Sequence, residues 1–227
     1  TIPILSKTLD EINPSKSLKK KEFIDEIRYS QYQLTKGEAE QIYDFIDTKK
    51  KELVSINDWS DFKTLFILPF EACDKNKDNL LNEEEFKTCF ENDPKTKLIE
   101  FRRRHNENKV GIIMDIISTR GKRQINFADY LLFRKAIYGW TQCQSSKKYI
   151  AKNDFKCAFN TALPNKYDHR IDNDKIYNVG LEMDRNLVQL DFISFMRIIY
   201  YGHVFTIFAE PHDLTYLEKS HWIKALK

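Results

Sequence analysis

Hydrophobic residues recur along this chain in two patterns. One has the period of a helix: in Tyr130-Leu-Leu-Phe-Arg-Lys-Ala-Ile-Tyr-Gly-Trp140 apolar positions return every three or four residues, which predicts an amphipathic core helix. The other is a short motif, an apolar residue followed after four positions by an acidic or polar one and then an aromatic. It occurs at Leu18/Glu22/Phe23, Val54/Asp58/Trp59, Leu81/Glu85/Phe86, Ile125/Asp129/Tyr130, Ile150/Asp154/Phe155, Leu190/Ser194/Phe195 and Leu217/His221/Trp222. Its aromatic positions are separated by 36, 27, 44, 25, 40 and 27 residues, so long and short spacings alternate. The short spacings have room for one helix between motifs and the long ones for two with a connector. Single helices are therefore expected over 59–73, 130–142 and 195–209, the first kinked by Pro69, and the fold class is all-α.

One copy of the motif is preceded by alternating oxygen-bearing side chains: Asp74, Asn76 and Asp78, then Leu80, Asn82 and Glu85. This segment resembles the twelve-residue loop of the EF-hand family. The resemblance implies one calcium ion, held by the side chains of Asp74, Asn76 and Asp78, the carbonyl of Leu80, Asn82 through water, and both oxygens of Glu85. A seventh oxygen suits calcium better than octahedral magnesium, and three carboxylates imply a Kd on the order of 10⁻⁷ to 10⁻⁵ M. The family places Gly at the sixth position, where φ is positive; here it is Asn79, which tolerates the left-handed region better than other residues with a Cβ. Leu81, at the eighth position, would make the short strand contact with a partner loop.

The other copies lack that ligand set. Lys49 and Lys51 occupy the third and fifth positions of 47–58, Arg120 and Lys122 those of 118–129, Ser145 and Lys147 those of 143–154, and Arg185 and Leu187 those of 183–194. Segment 11–22 has Asn13 and Ser15 but also Pro14 and little charge. A single metal ion is expected.

The resulting organisation is a tail at 1–10, a degenerate EF-hand pair at 11–67, a pair with the intact loop at 68–142, and a degenerate pair with an odd C-terminal hand at 143–227. Successive pairs share helices, and connectors are expected at 91–95 and 163–170. Serial hands with few metal sites are similar in organisation to the regulatory domains of calcium-sensitive mitochondrial carriers and to the gatekeepers of mitochondrial calcium uptake. An odd hand around Leu217 implies a homodimer or a docked protein partner.

Composition narrows the choice of function. With 41% hydrophobic residues, 16 Phe and 11 Tyr, the chain has the material for a core. A formal charge of +3 gives no field for nucleic acid. The densest basic run, Arg102–Arg104, reads as a solvated helix face. Cys73, Cys89, Cys143 and Cys157 form no CxxC pair and read as reduced core thiols. No apolar run reaches the roughly 20 residues of a membrane span, and the best stretch, 192–208, contains Arg197, Gly202 and His203. An intracellular protein, soluble or peripheral, is expected, cytoplasmic or mitochondrial; Thr1 fits either removal of Met or cleavage of a presequence. Nucleotide-binding and hydrolase motifs are absent, which argues against an enzyme. Two functions remain: a structural or adaptor subunit in which one calcium is a staple, or a sensor that opens a hand for a target. Three Met are few for the adaptable surface of a calmodulin-like sensor.

Overall fold

A computed structural model describes residues 17–47, 51–102, 108–118, 123–163, 173–183 and 189–209. The protein is mostly helical. In chain order it has β1 (Leu18–Lys19), α1 (Lys20–Arg28), α2 (Lys36–Ile46), β2 (Leu53–Val54) and α3 (Ile56–Phe62), which runs through a π turn (Lys63–Ile67) into α4 (Leu68–Cys73). Then follow α5 (Glu83–Asn92), a 3-10 turn (Thr96–Leu98), α6 (Lys109–Ile117), α7 (Phe127–Cys143), α8 (Lys152–Ala162), α9 (Asn173–Met183) and α10 (Phe192–Ala209). The expected tail at 1–10, the Leu217 motif and most of the 163–170 connector lie outside the described residues. No helix among the described residues is long and apolar enough to cross a membrane.

The continuous helices at 56–73, 127–143 and 192–209 fall where the short motif spacings left room for one helix. Each starts from a side chain that accepts a backbone N–H. Ser55 Oγ accepts from Asp58, Asn126 Oδ1 from Asp129, and Asp191 Oδ1 from Ser194, satisfying donors that a helix leaves open at its first turn. Pro69 acts through the turn before it. Having no N–H, it leaves the Leu65 carbonyl without its usual partner, the ladder widens so that the Leu68 N–H bonds to Lys63 O, and the Arg134 guanidinium donates to Leu65 O at 3.4 Å.

The strand contacts are minimal. β1 pairs antiparallel with β2, matching Leu18 to Val54, and isolated antiparallel bridges join Leu81 to Ile125 and Ile150 to Leu190. These six residues are the apolar members of the repeated motif. Behind each bridge the aromatic members Phe23, Trp59, Phe86, Tyr130, Phe155 and Phe195 are buried. Among the described residues most aromatic side chains lie in the interior, with Tyr29 and Tyr138 exposed. Ring contacts run along the molecule from Phe23–Trp59 through Tyr32–Phe127, stacked at 4.5 Å, and Phe86–Phe133 to Trp140–Phe195 and Phe155–Phe195.

α7 is the centre of this core and is buried on most sides, so it is not the one-sided amphipathic helix that its periodicity predicts. Two features follow from that position. Gly139 lets α8 come so close that a Cβ there would lie 2.4 Å from the Ala158 carbonyl oxygen and 3.2 Å from Ala162 Cβ. Lys135 is buried with its ammonium 4.4 Å from the centre of the Phe45 ring, and burial pushes its pKa down to about 7 while Asp44 pulls it up.

Gly139→Ala should destabilise the protein by about 1–3 kcal/mol through overpacking against the Ala158 backbone, read as a lowered urea midpoint. For Lys135 the folded pKa lies below the unfolded one, so between about pH 7 and 10 the unfolded chain holds the extra proton and stability rises with pH. Below that window the cost of burying the ammonium is carried in full. Lys135→Met should raise the melting temperature at pH 6–7 and flatten the rise toward pH 10 in a thermal series.

Candidate metal loop and its degenerate counterparts

Segment 74–85 joins α4 to α5. A connector this short between two helices has many backbone N–H groups to satisfy, and its acidic side chains take them. Asp74 accepts from the N–H groups of Asp78 and Asn79, at 3.2 and 2.8 Å. Asn76 Oδ1 accepts from Asp78 N–H while its amide donates to Asp78 Oδ2, and Asp78 Oδ1 accepts from Leu80 N–H. Glu85 closes the loop: one oxygen accepts from Lys75 and Asn76, the other from Asn82. Asn82 sits at the N-cap of α5, its side-chain oxygen accepting from Glu84 and Glu85. Asn79 adopts φ 63°, the left-handed conformation expected at the sixth position. Asp74 and Glu85 are buried, while Asn76, Asp78 and Asn82 are exposed.

The same framework recurs in 47–58. Asp47 accepts from Lys51 and Glu52 N–H, the fifth and sixth positions again, and Asp58 accepts from Ser55 as Glu85 does from Asn82. Glu52 has φ 56°, and Arg123, at the sixth position of 118–129, has φ 48°. Two residues poorly suited to the left-handed region thus hold the turn that the sequence singled out only at Asn79. In 143–154 Asp154 reaches back to the N–H and hydroxyl of Ser145, the third position, as Glu85 reaches Asn76. Of the basic residues expected to spoil these loops, Lys49, Arg120, Lys122 and Arg185, with Leu187, lie outside the described residues.

The donor chemistry of 74–85 suits a hard cation: three carboxylates, two side-chain amide oxygens and the Leu80 carbonyl lie within one short segment, two of the carboxylates buried. Among the described residues, however, no three His, Cys, Asp or Glu side chains converge where they could together hold a metal ion. The physical reason is visible in the loop, where the Glu85 oxygens are turned to backbone N–H groups.

Two sets of residues take roles that the sequence did not assign. The cysteines form disulfides, Cys73–Cys89 and Cys143–Cys157, instead of remaining reduced thiols. Separations of 16 and 14 residues carry no familiar spacing, yet each pair spans one loop, from the end of its entering helix to the first turns of its exiting helix. The common placement within two repeat units was the available signal. Arg102 is not solvated. Its guanidinium pairs with Asp191 at 2.9 Å, both side chains largely buried, lies over Tyr149 and donates to Gln189 O at 3.5 Å. Gln189 and Asp191 are the seventh and ninth positions of 183–194, so a cation from the 99–102 segment meets that loop. The Glu100 N–H also bonds to Lys147 O in the neighbouring loop.

Arg102→Met should cost about 3 kcal/mol, because it removes the cation paired with the buried Asp191 carboxylate while the bond from Ser194 N–H remains. Adding Asp191→Asn should recover part of the loss, and chemical denaturation of the two single variants and the double variant measures that coupling. No protein-family model, curated protein or solved structure matches this chain.

Proposed function

We propose that this chain is an EF-hand protein built of serial helix-loop-helix pairs, with a single calcium ion at 74–85 serving as a staple in a structural or adaptor subunit. The observation that carries the reading is the shared loop framework. Asp74 and Asp47 satisfy the N–H groups of the fifth and sixth positions, residues with positive φ occupy the sixth position, and Glu85 and Asp58 reach back to the ninth. Within that framework 74–85 alone has oxygen donors at every ligand position: Asp74, Asn76, Asp78, Leu80, Asn82 and Glu85. The bridges Leu18–Val54, Leu81–Ile125 and Ile150–Leu190 support pairing of the loops.

Calcium would neutralise the buried Asp74 and Glu85 carboxylates and take over part of the work of the N–H groups that now hold the loop closed. The staple is favoured over a free-standing sensor because Cys73–Cys89 already joins the helices on either side of the loop. Both disulfides belong to an oxidising compartment, which argues against the cytoplasm.

Titration calorimetry of the full chain should give one calcium per chain, with Kd on the order of 10⁻⁷ to 10⁻⁵ M. At about 100 times Kd the ion should add about 2.7 kcal/mol of stability. Glu85→Gln should weaken binding strongly, whereas Asp47→Asn should leave the stoichiometry at one. Absence of binding, or binding unaffected by Glu85→Gln, would sink the reading.

A further inference from the structure

We infer that the Cys73–Cys89 disulfide is a redox latch on the candidate calcium loop, deciding whether the ion acts as a staple or opens the hand. This rests on the calcium reading above. Cys73 is the last residue of α4 and immediately precedes Asp74, and Cys89 lies on α5, one turn beyond Glu85; their Cα atoms are 5.6 Å apart. The bond therefore joins the entering and exiting helices at the point from which they would have to swing apart. Opening a hand means a change of some tens of degrees between those helices, exposing their inner faces.

Here the inner faces carry Phe70, which contacts Tyr130 and Phe127, and Phe86 and Phe90, which contact Phe133. With the sulfurs joined, calcium can fill the loop while that surface stays covered. The second disulfide shows the difference a ligand set makes. Cys143–Cys157 ties α7 to α8 around 143–154, whose third and fifth positions are Ser145 and Lys147, so nothing in that loop drives opening and the bond is only a brace. The same cross-link across 74–85 restrains a loop that has a reason to move.

Release requires a dithiol reductant. One thiolate attacks a sulfur of the Cys73–Cys89 bond and forms a mixed disulfide, expelling the other cysteine as a thiolate that takes up a proton. The second thiolate of the reductant then displaces the remaining cysteine, which is protonated in turn. The chain gains two electrons and two protons, and the reductant leaves as its disulfide. Cys73 is only half-buried, which gives the attacking thiolate an approach.

The test uses the full chain carrying Cys143→Ser and Cys157→Ser, so that Cys73–Cys89 is the one bond a dithiol can break. Calcium alone is titrated into the oxidised and the dithiothreitol-reduced protein, with heat and the fluorescence of an apolar dye recorded together. Calcium should bind both forms, with a dye response several-fold larger in the reduced one. An otherwise wild-type chain bearing Cys73→Ser and Cys89→Ser should behave like the reduced form without any reductant. If the Cys143→Ser, Cys157→Ser chain fails to fold by near-ultraviolet dichroism, the oxidised wild-type chain is compared with the Cys73→Ser, Cys89→Ser chain without reductant, which differs from it only in the first bond. Calcium binding with equal dye responses in the two redox forms overturns the latch alone. Absence of calcium heat in both forms overturns the calcium reading, and the latch with it.

Discussion

Everything in this molecule depends on how a short connector between two helices satisfies its backbone N–H groups. In 47–58 and 74–85 the solution is a carboxylate at the first position of the loop, taking the N–H groups of the fifth and sixth, and another at the last position that caps the next helix. Loops 47–58 and 74–85 use it alike. In these two loops the sixth residue takes a positive φ, at Glu52 with its N–H bonded to Asp47 and at Asn79 with its N–H bonded to Asp74. The framework keeps its shape with Lys51 at the fifth position as it does with Asp78.

Shape is what the rest of the fold requires from them. A closed loop presents its eighth residue for bridging, and the bridges place the apolar residues of two loops side by side with the aromatic residues just behind. From there rings touch along the chain into α7, which passes through the middle of the core and is closely approached by α8 at Gly139. Carboxylates thus organise the polar ends of each unit, and aromatic burial holds the units together.

Arginine side chains tie loops and helices to one another. Arg102 meets Asp191 and the Gln189 carbonyl, and Arg134 pairs with Asp93 and supplies the donor that Pro69 withholds from Leu65. Arg123 reaches Glu83 in the loop bridged to its own. Side-chain guanidinium groups suit this work because they carry several donors in a fixed plane and keep their charge when partly buried.

By itself the sequence determined the helical fold class, the positions of the continuous helices, the residues that bridge, and the left-handed turn at Asn79. All of these are local consequences of period, capping residues and spacing, repeated often enough to be read without a partner structure. The tertiary structure alone decided the disulfides, the burial of Arg102, the burial of α7 on most sides and the place of Lys135 over Phe45. The burial of Arg102 and the place of Lys135 join groups from distant segments that no interval along the chain encodes, whereas the disulfides left a signal only in their common placement across one loop of two repeat units. The loop 74–85 falls between the two: its oxygen donors are written in sequence, while the hydrogen bonds that close it and the disulfide that spans it exist only in the folded protein.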